Sequence, residues 1–155
     1  MKHLFLVRHG ENAIRNGDCL TGRGKEQIAS IANQIKGVLN RLNPNAVYIG
    51  SAQAERTVES AEIVGKALGI EIPPIKLSAL QADGGINSPT IDFLIDTVFE
   101  DAMILVGHGD LLSYGRKFCD TRKIAGNGFN AYGKGEAIRI DLENKMSYVM
   151  RPKHG

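Results

Sequence analysis

The stretch LFLVRHGEN, residues 4–12, sets the reading of the whole chain. Leu4 to Val7 are apolar and run directly into Arg8, His9, Gly10 and Glu11. A short apolar run closed by glycine is the pattern of a buried parallel strand followed by a loop. The pattern returns in DAMILVGHG, residues 101–109, where another apolar run ends in glycine and histidine.

The segments between and beyond these two strands alternate in type. LTGRGKEQIASIANQIKGVLNRL predicts a helix: Thr21 is a suitable N-cap, and Ile28, Ile31, Ile35, Val38, Leu39 and Leu42 recur at helical spacing. Pro44 stops that helix, and Val47–Ile49 are strand formers. AERTVESAEIVGKALG predicts a second amphipathic helix with Gly69 at its C-cap. IEIPPIKLS reads as a short extended piece, ALQADGGINSPT as a loop, IDFLIDTVFE as a third helix and DLLSYGRKFCD as a fourth. GEAIRIDLENKMSYVMRP alternates apolar and polar residues around ENK, which predicts a closing hairpin or a pair of edge strands. Strands alternating with helices predict an α/β fold. The expected architecture has three layers, a mainly parallel central sheet flanked by helices, with an antiparallel edge strand near the C-terminus. Residues 1–155 read as one domain.

Composition narrows the function. The chain is 43% hydrophobic and 23% charged, with a formal charge of only +2. That balance, without any Lys/Arg block, argues against nucleic acid as a partner. Cys19 and Cys119 stand far apart, with no CxxC spacing to suggest zinc or a redox pair. Their expected state is two thiols in a reducing compartment. No apolar run reaches the ~18 residues of a membrane span. The opening run is cut short by Arg8, so it does not read as a signal peptide. The expectation is a cytoplasmic protein without a membrane partner.

Ligands of open α/β sheets bind outside the carboxyl ends of the strands. RHG and GHG therefore place His9 and His108 at one edge if their strands are neighbours, with Arg8 beside the first. Arg56 lies near the start of the helix after the second strand, and helix N-termini favour anions. Two arginines and two histidines around one point make a phosphate pocket. Guanidinium groups bind phosphate oxygens bidentately, and a neutral imidazole can attack phosphorus. Each residue also has a plainer reading. His9 fits a strand cap, and Arg56 among Glu59, Glu62 and Lys66 fits a solvated helix face. The spacing of all four favours the pocket.

The same residues carry a resemblance. LVRHGE resembles the signature of the histidine phosphatase superfamily, also called phosphoglycerate mutase-like. LTGRGKEQ is similar to that family's LTxxGxxQ through Leu20, Thr21, Gly24 and Gln27. AQAERTVESA is similar to SPLxRAxQTA, keeping Arg56 and Ala61, and ILVGHG resembles the second-histidine strand. The motifs occur in family order from residue 4 to about residue 112. The resemblance implies that His9 is a nucleophile forming a phosphohistidine. It implies that Arg8, Arg56 and His108 bind and stabilise the phosphoryl oxygens. It implies no metal and no cofactor.

The departures bear on substrate. The family's TxxN after RHGE is here Asn12, Ala13, Ile14 and Arg15, with Asn16 one place late, so that Asn16 or Arg15 is the candidate phosphate-binding substitute. The Glu that protonates the leaving oxygen in many members falls on Ala79. Asp83 is the nearest replacement for that catalytic acid, although an Asp before two glycines also suits a turn. Asp110 is a second candidate, with a helix cap as its plainer reading. Without the acid, substrates with good leaving groups suffer least. Only 51 residues separate Arg56 from His108, too few for a large lid. Both features resemble the short SixA-like branch, which implies a phosphorylated protein carrying phosphohistidine as the partner. A small phosphorylated substrate is the alternative, and a phosphate-binding protein with weak catalysis is the second. The sequence leaves the oligomeric state open.

Overall fold

The computed structural model describes residues 1–13, 18–41, 46–81 and 85–153. Leu42 and Pro44 lie outside these. The strands are β1 (His3–Arg8), β2 (Val47–Ser51), β3 (Ile75–Lys76), β4 (Ala102–Gly107), β5 (Ala125–Gly126), β6 (Ala137–Asp141) and β7 (Met146–Met150). The α-helices are α1 (Gly22–Val38), α2 (Glu55–Ala67), α3 (Ser88–Thr97) and α4 (Gly109–Thr121). The strands form one sheet in the order β3-β2-β4-β1-β6-β7-β5. β3, β2, β4 and β1 are parallel, while β6 is antiparallel to both β1 and β7.

Alternate side chains of the central strands feed two cores, as the pleat requires. Phe5, Val7, Ile104 and Val106 pack with Ile28, Ile31 and Ile35 of α1 and Val64 of α2. Leu4, Leu6, Met103 and Leu105 pack with Ile91 and Ile95 of α3 and Leu111 and Phe118 of α4. This is the expected three-layer arrangement. β1 is covered on both faces, which is why its sequence is continuously apolar rather than alternating.

The caps follow the sequence closely. Thr21 accepts the Gly24 N–H and starts α1. After α2, Gly69 takes a positive φ of 74°. Its N–H donates to the Lys66 carbonyl and that of Ile70 to Gly65, the paired bonds of a Schellman ending.

One expectation needs correction. α3 begins at Ser88 rather than Ile91, because Asn87 accepts the Thr90 N–H and Pro89 sits in the first turn, where its missing N–H is harmless. The closing hairpin forms as expected, with its two strands antiparallel. β6 lies inside against β1, and β7 is flanked by the two-residue β5 in parallel.

One backbone contact joins the β1 loop to α1. A methyl group on Gly24 would lie 2.0 Å from the Glu11 carbonyl oxygen, and one on Gly10 would lie 2.4 Å from the Gly24 oxygen. Neither position has room for a side chain. Gly37, near the end of the same helix, has open space around its Cα. Gly24→Ala should therefore destabilise by about 1–3 kcal/mol through overpacking. Gly37→Ala should stabilise by about 0.5–1 kcal/mol through helix propensity. Chemical denaturation of the two variants checks both signs.

Candidate active site

The carboxyl ends of β1, β2 and β4 lie side by side because β4 sits between β1 and β2. Arg8 is opposite Gly107 across the β1–β4 ladder, and Ser51 is opposite Val106 across β2–β4. The next residues along the chain, His9 and His108, consequently meet. Their ring centroids are 5.5 Å apart at 74°. His108 occupies the N-cap position of α4, and Arg56 lies in the first turn of α2. Two helix N-termini thus converge on the histidines, an arrangement that favours anions.

The residues of the four motifs hold the β1 loop rigidly. The Glu11 carbonyl accepts from the Thr21 N–H at 3.0 Å, and the Glu11 N–H donates to Gln27 Oε1 at 2.9 Å. The Gly10 N–H donates to Ser60 Oγ at 3.3 Å, and Ser60 Oγ donates to the Arg56 carbonyl at 2.8 Å. The Leu20 N–H donates to Glu59 Oε1 at 2.8 Å. Thr21, Gly24, Gln27, Glu59 and Ser60 are therefore the loop's supports and not reacting groups.

His9 is only 4% exposed. Its Nδ1 lies 2.7 Å from the Gly10 carbonyl oxygen. A carbonyl only accepts, so Nδ1 carries the proton and the lone pair of the neutral ring is on Nε2. Burial holds the His9 pKa down to about 4 against an ordinary 6.5. The hydrogen bond to Gly10 opposes that fall, while Arg56, His108 and Arg8 add to it. At neutral pH the ring is uncharged.

Arg56 and Arg8 are held by different neighbours. Arg56 Nη2 donates to His108 Nδ1 at 3.3 Å, which leaves Nε2 as the protonated nitrogen of a neutral His108 ring. Arg56 Nη1 forms an ion pair with Asp18, and Asn12 Nδ2 donates to the other Asp18 oxygen. Lys134 Nζ donates to Asn12 Oδ1 at 3.0 Å. Arg8 Nη1 donates to the Tyr132 carbonyl at 2.7 Å. The Arg8 guanidinium lies against Gly109, where a methyl group would stand 3.3 Å from Arg8 Cζ. Arg8 Nε is buried without a hydrogen-bond partner among the described residues. A buried donor left without an acceptor is costly.

The structure thus brings Arg8, His9, Arg56 and His108 together. Asn16 and Asp83 lie outside the described residues. Ala79 stands in a 3-10 turn (Ser78–Leu80) and packs against the core, while its carbonyl accepts the Asn87 N–H at 2.9 Å. Asp110 lies in the first turn of α4 with Oδ1 buried and unpartnered among the described residues. Among the described residues no group of three or more His, Cys, Asp or Glu could hold a metal, and no helix is long and apolar enough to cross a membrane.

Sequence reading missed two contributors. Asp18 takes a positive φ of 68° and turns its carboxylate onto Arg56. The glycine-rich segment CDTRKIAGNGFNAYGKGEA favours an ordinary surface loop on composition, yet part of it borders the site. Tyr132 supplies the carbonyl to Arg8, and the Gly135 N–H donates to the His9 carbonyl at 2.8 Å.

No family model matches the sequence, and no curated protein matches it significantly. Solved structures do match its fold. A protein histidine phosphatase, SixA, complexed with tungstate is 19% identical, with 97% of each chain covered and a TM-score of 0.68. A mycobacterial glucosyl-3-phosphoglycerate phosphatase with bound VO3 is 14% identical, with both chains fully covered and a TM-score of 0.65. A phosphoserine phosphatase from Entamoeba histolytica in complex with 3-phosphoglyceric acid is 14% identical, covering 100% of this chain and 98% of that one, with a TM-score of 0.59. The chain has the fold of these phosphatases, as the sequence motifs imply.

The His9 environment predicts a titration. The unfolded chain takes up the imidazole proton near 6.5, the folded protein near 4. In that window the unfolded state binds more protons, so stability falls as pH drops from about 6.5 towards 4 and is untouched by His9 above it. His9→Asn removes this part of the pH slope in chemical denaturation. NMR of the ring should show a neutral His9 at pH 5.5, and a protonated ring there would overturn the assignment.

Proposed function

We propose that this protein is a phosphatase of the histidine phosphatase superfamily that works without a metal ion. It hydrolyses phosphate through a covalent phosphohistidine on His9, acting on a phosphohistidine-containing protein. The observation that carries the reading is the buried His9 ring, neutral at pH 7, with its Nδ1 proton committed to the Gly10 carbonyl. That leaves one nucleophilic nitrogen, Nε2, between two arginines and a second histidine.

In the first step, His9 Nε2 attacks phosphorus and the bond from phosphorus to the leaving group breaks. Arg8, Arg56 and the Nε2–H of His108 carry the charge on the phosphoryl oxygens. That is the electrostatic part of phosphoryl transfer. In the second step, water attacks the phosphohistidine, inorganic phosphate leaves and His9 is restored as the neutral ring. The first step needs a proton on the leaving group if that group is an alkoxide. At the position where the resemblance implies a Glu, Ala79 offers only a methyl group against the core. The imidazole of a phosphohistidine needs less help, which supports the protein substrate. The likeness to SixA with tungstate supports it too, and the likeness to the two small-molecule phosphatases keeps a phosphomonoesterase as the alternative.

The test is trapping and competition. Brief exposure to an activated aryl phosphate should leave label on the protein that survives alkali and is lost in acid, and His9→Ala should carry none. Arg56→Ala should lower kcat/KM by roughly 10²–10³-fold, the usual cost of one donor to a developing oxyanion. Turnover of a phosphohistidine protein should exceed that of alkyl phosphates. The reverse order would replace the substrate class, and label unaffected by His9→Ala would overturn the nucleophile.

A further inference from the structure

The phosphate-binding arginines differ in how they are held. Arg56 is fixed by a carboxylate, Asp18, whereas Arg8 leans on a main-chain carbonyl, that of Tyr132. A carbonyl in a loop is only as well placed as the loop. What holds this one is Arg116, on the α4 turn after Ser113. Arg116 Nη1 donates to the Ala131 carbonyl at 2.8 Å, the peptide just before Tyr132. Its Cζ lies 4.4 Å from the centre of the Tyr132 ring, a cation–π stack. Its Nη2 donates to Ser113 Oγ at 2.9 Å, which ties the guanidinium to the helix. From the other side, Glu136 Oε1 accepts the Tyr132 and Gly133 N–H groups at 2.9 and 3.0 Å. Tyr132 is itself 59% exposed, so burial alone does not fix it.

We propose that Arg116 is a positioning residue: by clamping Ala131 and the Tyr132 ring, it aims the Tyr132 carbonyl at Arg8 and so sets the orientation in which Arg8 meets a phosphoryl oxygen. The inference rests on the phosphate-binding reading of Arg8. Arg116 acts through Arg8 and contacts no reacting atom. Loss of the clamp frees the Arg8 guanidinium to rotate, and a loosely held guanidinium binds an oxyanion at an entropic cost that a fixed one avoids.

The experiment is a double-mutant cycle read by tungstate binding in calorimetry, with thermal melts alongside. Arg116→Ala should weaken tungstate binding about tenfold, within the range of couplings inside one hydrogen-bonded network. In an Arg8→Ala background, where Arg56 and His108 still bind the anion, Arg116→Ala should cause no further loss. Arg116→Lys keeps a cation over Tyr132 and a donor to Ala131, so it should recover most of the affinity. If Arg116→Ala proves unstable, Tyr132→Leu takes its place in the cycle, since it removes the ring but keeps the carbonyl. Equal losses in both backgrounds, or an unchanged affinity in Arg116→Ala, would overturn the positioning role while leaving the phosphate site standing. A wild-type protein that binds no tungstate would overturn the phosphate site and the positioning role with it.

Discussion

The parallel pairing of β1 with β4, Arg8 against Gly107, is the constraint on which the site depends. Two strands that run the same way and end at the same level deliver their next residues to one place. Those residues are His9 and His108. The antiparallel alternative would send them to opposite ends of the sheet. Parallel pairing in turn demands crossover connections, and helices packed on Phe5 and Val7 on one face and on Leu4 and Leu6 on the other supply them. The site is thus a consequence of packing that lies well away from it.

A second constraint converts that placement into rigidity. Gly10 and Gly24 let the β1 loop and the start of α1 meet backbone to backbone. At that distance Glu11 exchanges hydrogen bonds with Thr21 and Gln27, and Ser60 reaches the Gly10 N–H. The short motifs in the sequence are therefore parts of one support. Their spacing reflects a helix start, a helix turn and a close approach, all serving to hold the ring of His9.

How much of this can be read from residues alone depends on how local the cause is. The apolar runs of β1 and β4, the helical spacing in α1 and the endings at Thr21 and Gly69 are local, and all four carry through to the fold. The start of α3 was lost because Asn87 and Pro89 look like loop residues until the helix they cap is known. The pairing of Asp18 with Arg56, and of the Tyr132 carbonyl with Arg8, joins residues distant in sequence through a turn and a main-chain atom. A main-chain acceptor leaves no mark on residue identity, so composition made that segment look like ordinary surface. The register of β1 and β6 is what brings it to the site, since the Arg8 N–H donates to the Glu136 carbonyl at 3.0 Å just beyond their ladder.

The electrostatics of the site contain an opposition. Burial makes the His9 ring hard to protonate, and the positive charge of Arg56 and Arg8 adds to this. A low pKa ensures a neutral ring but lowers its intrinsic nucleophilicity. On the proposed mechanism a bound phosphoryl dianion would offset the part of the depression that Arg56 and Arg8 contribute, while burial would still keep the ring neutral. Asp18 balances the charge of Arg56 through their ion pair. The hydrogen bond from Nδ1 to Gly10 completes the effect. On the proposed mechanism the ring would take on positive charge as phosphorus bonds to Nε2, and a carbonyl already aligned with the Nδ1 proton would stabilise that charge without any movement of the loop.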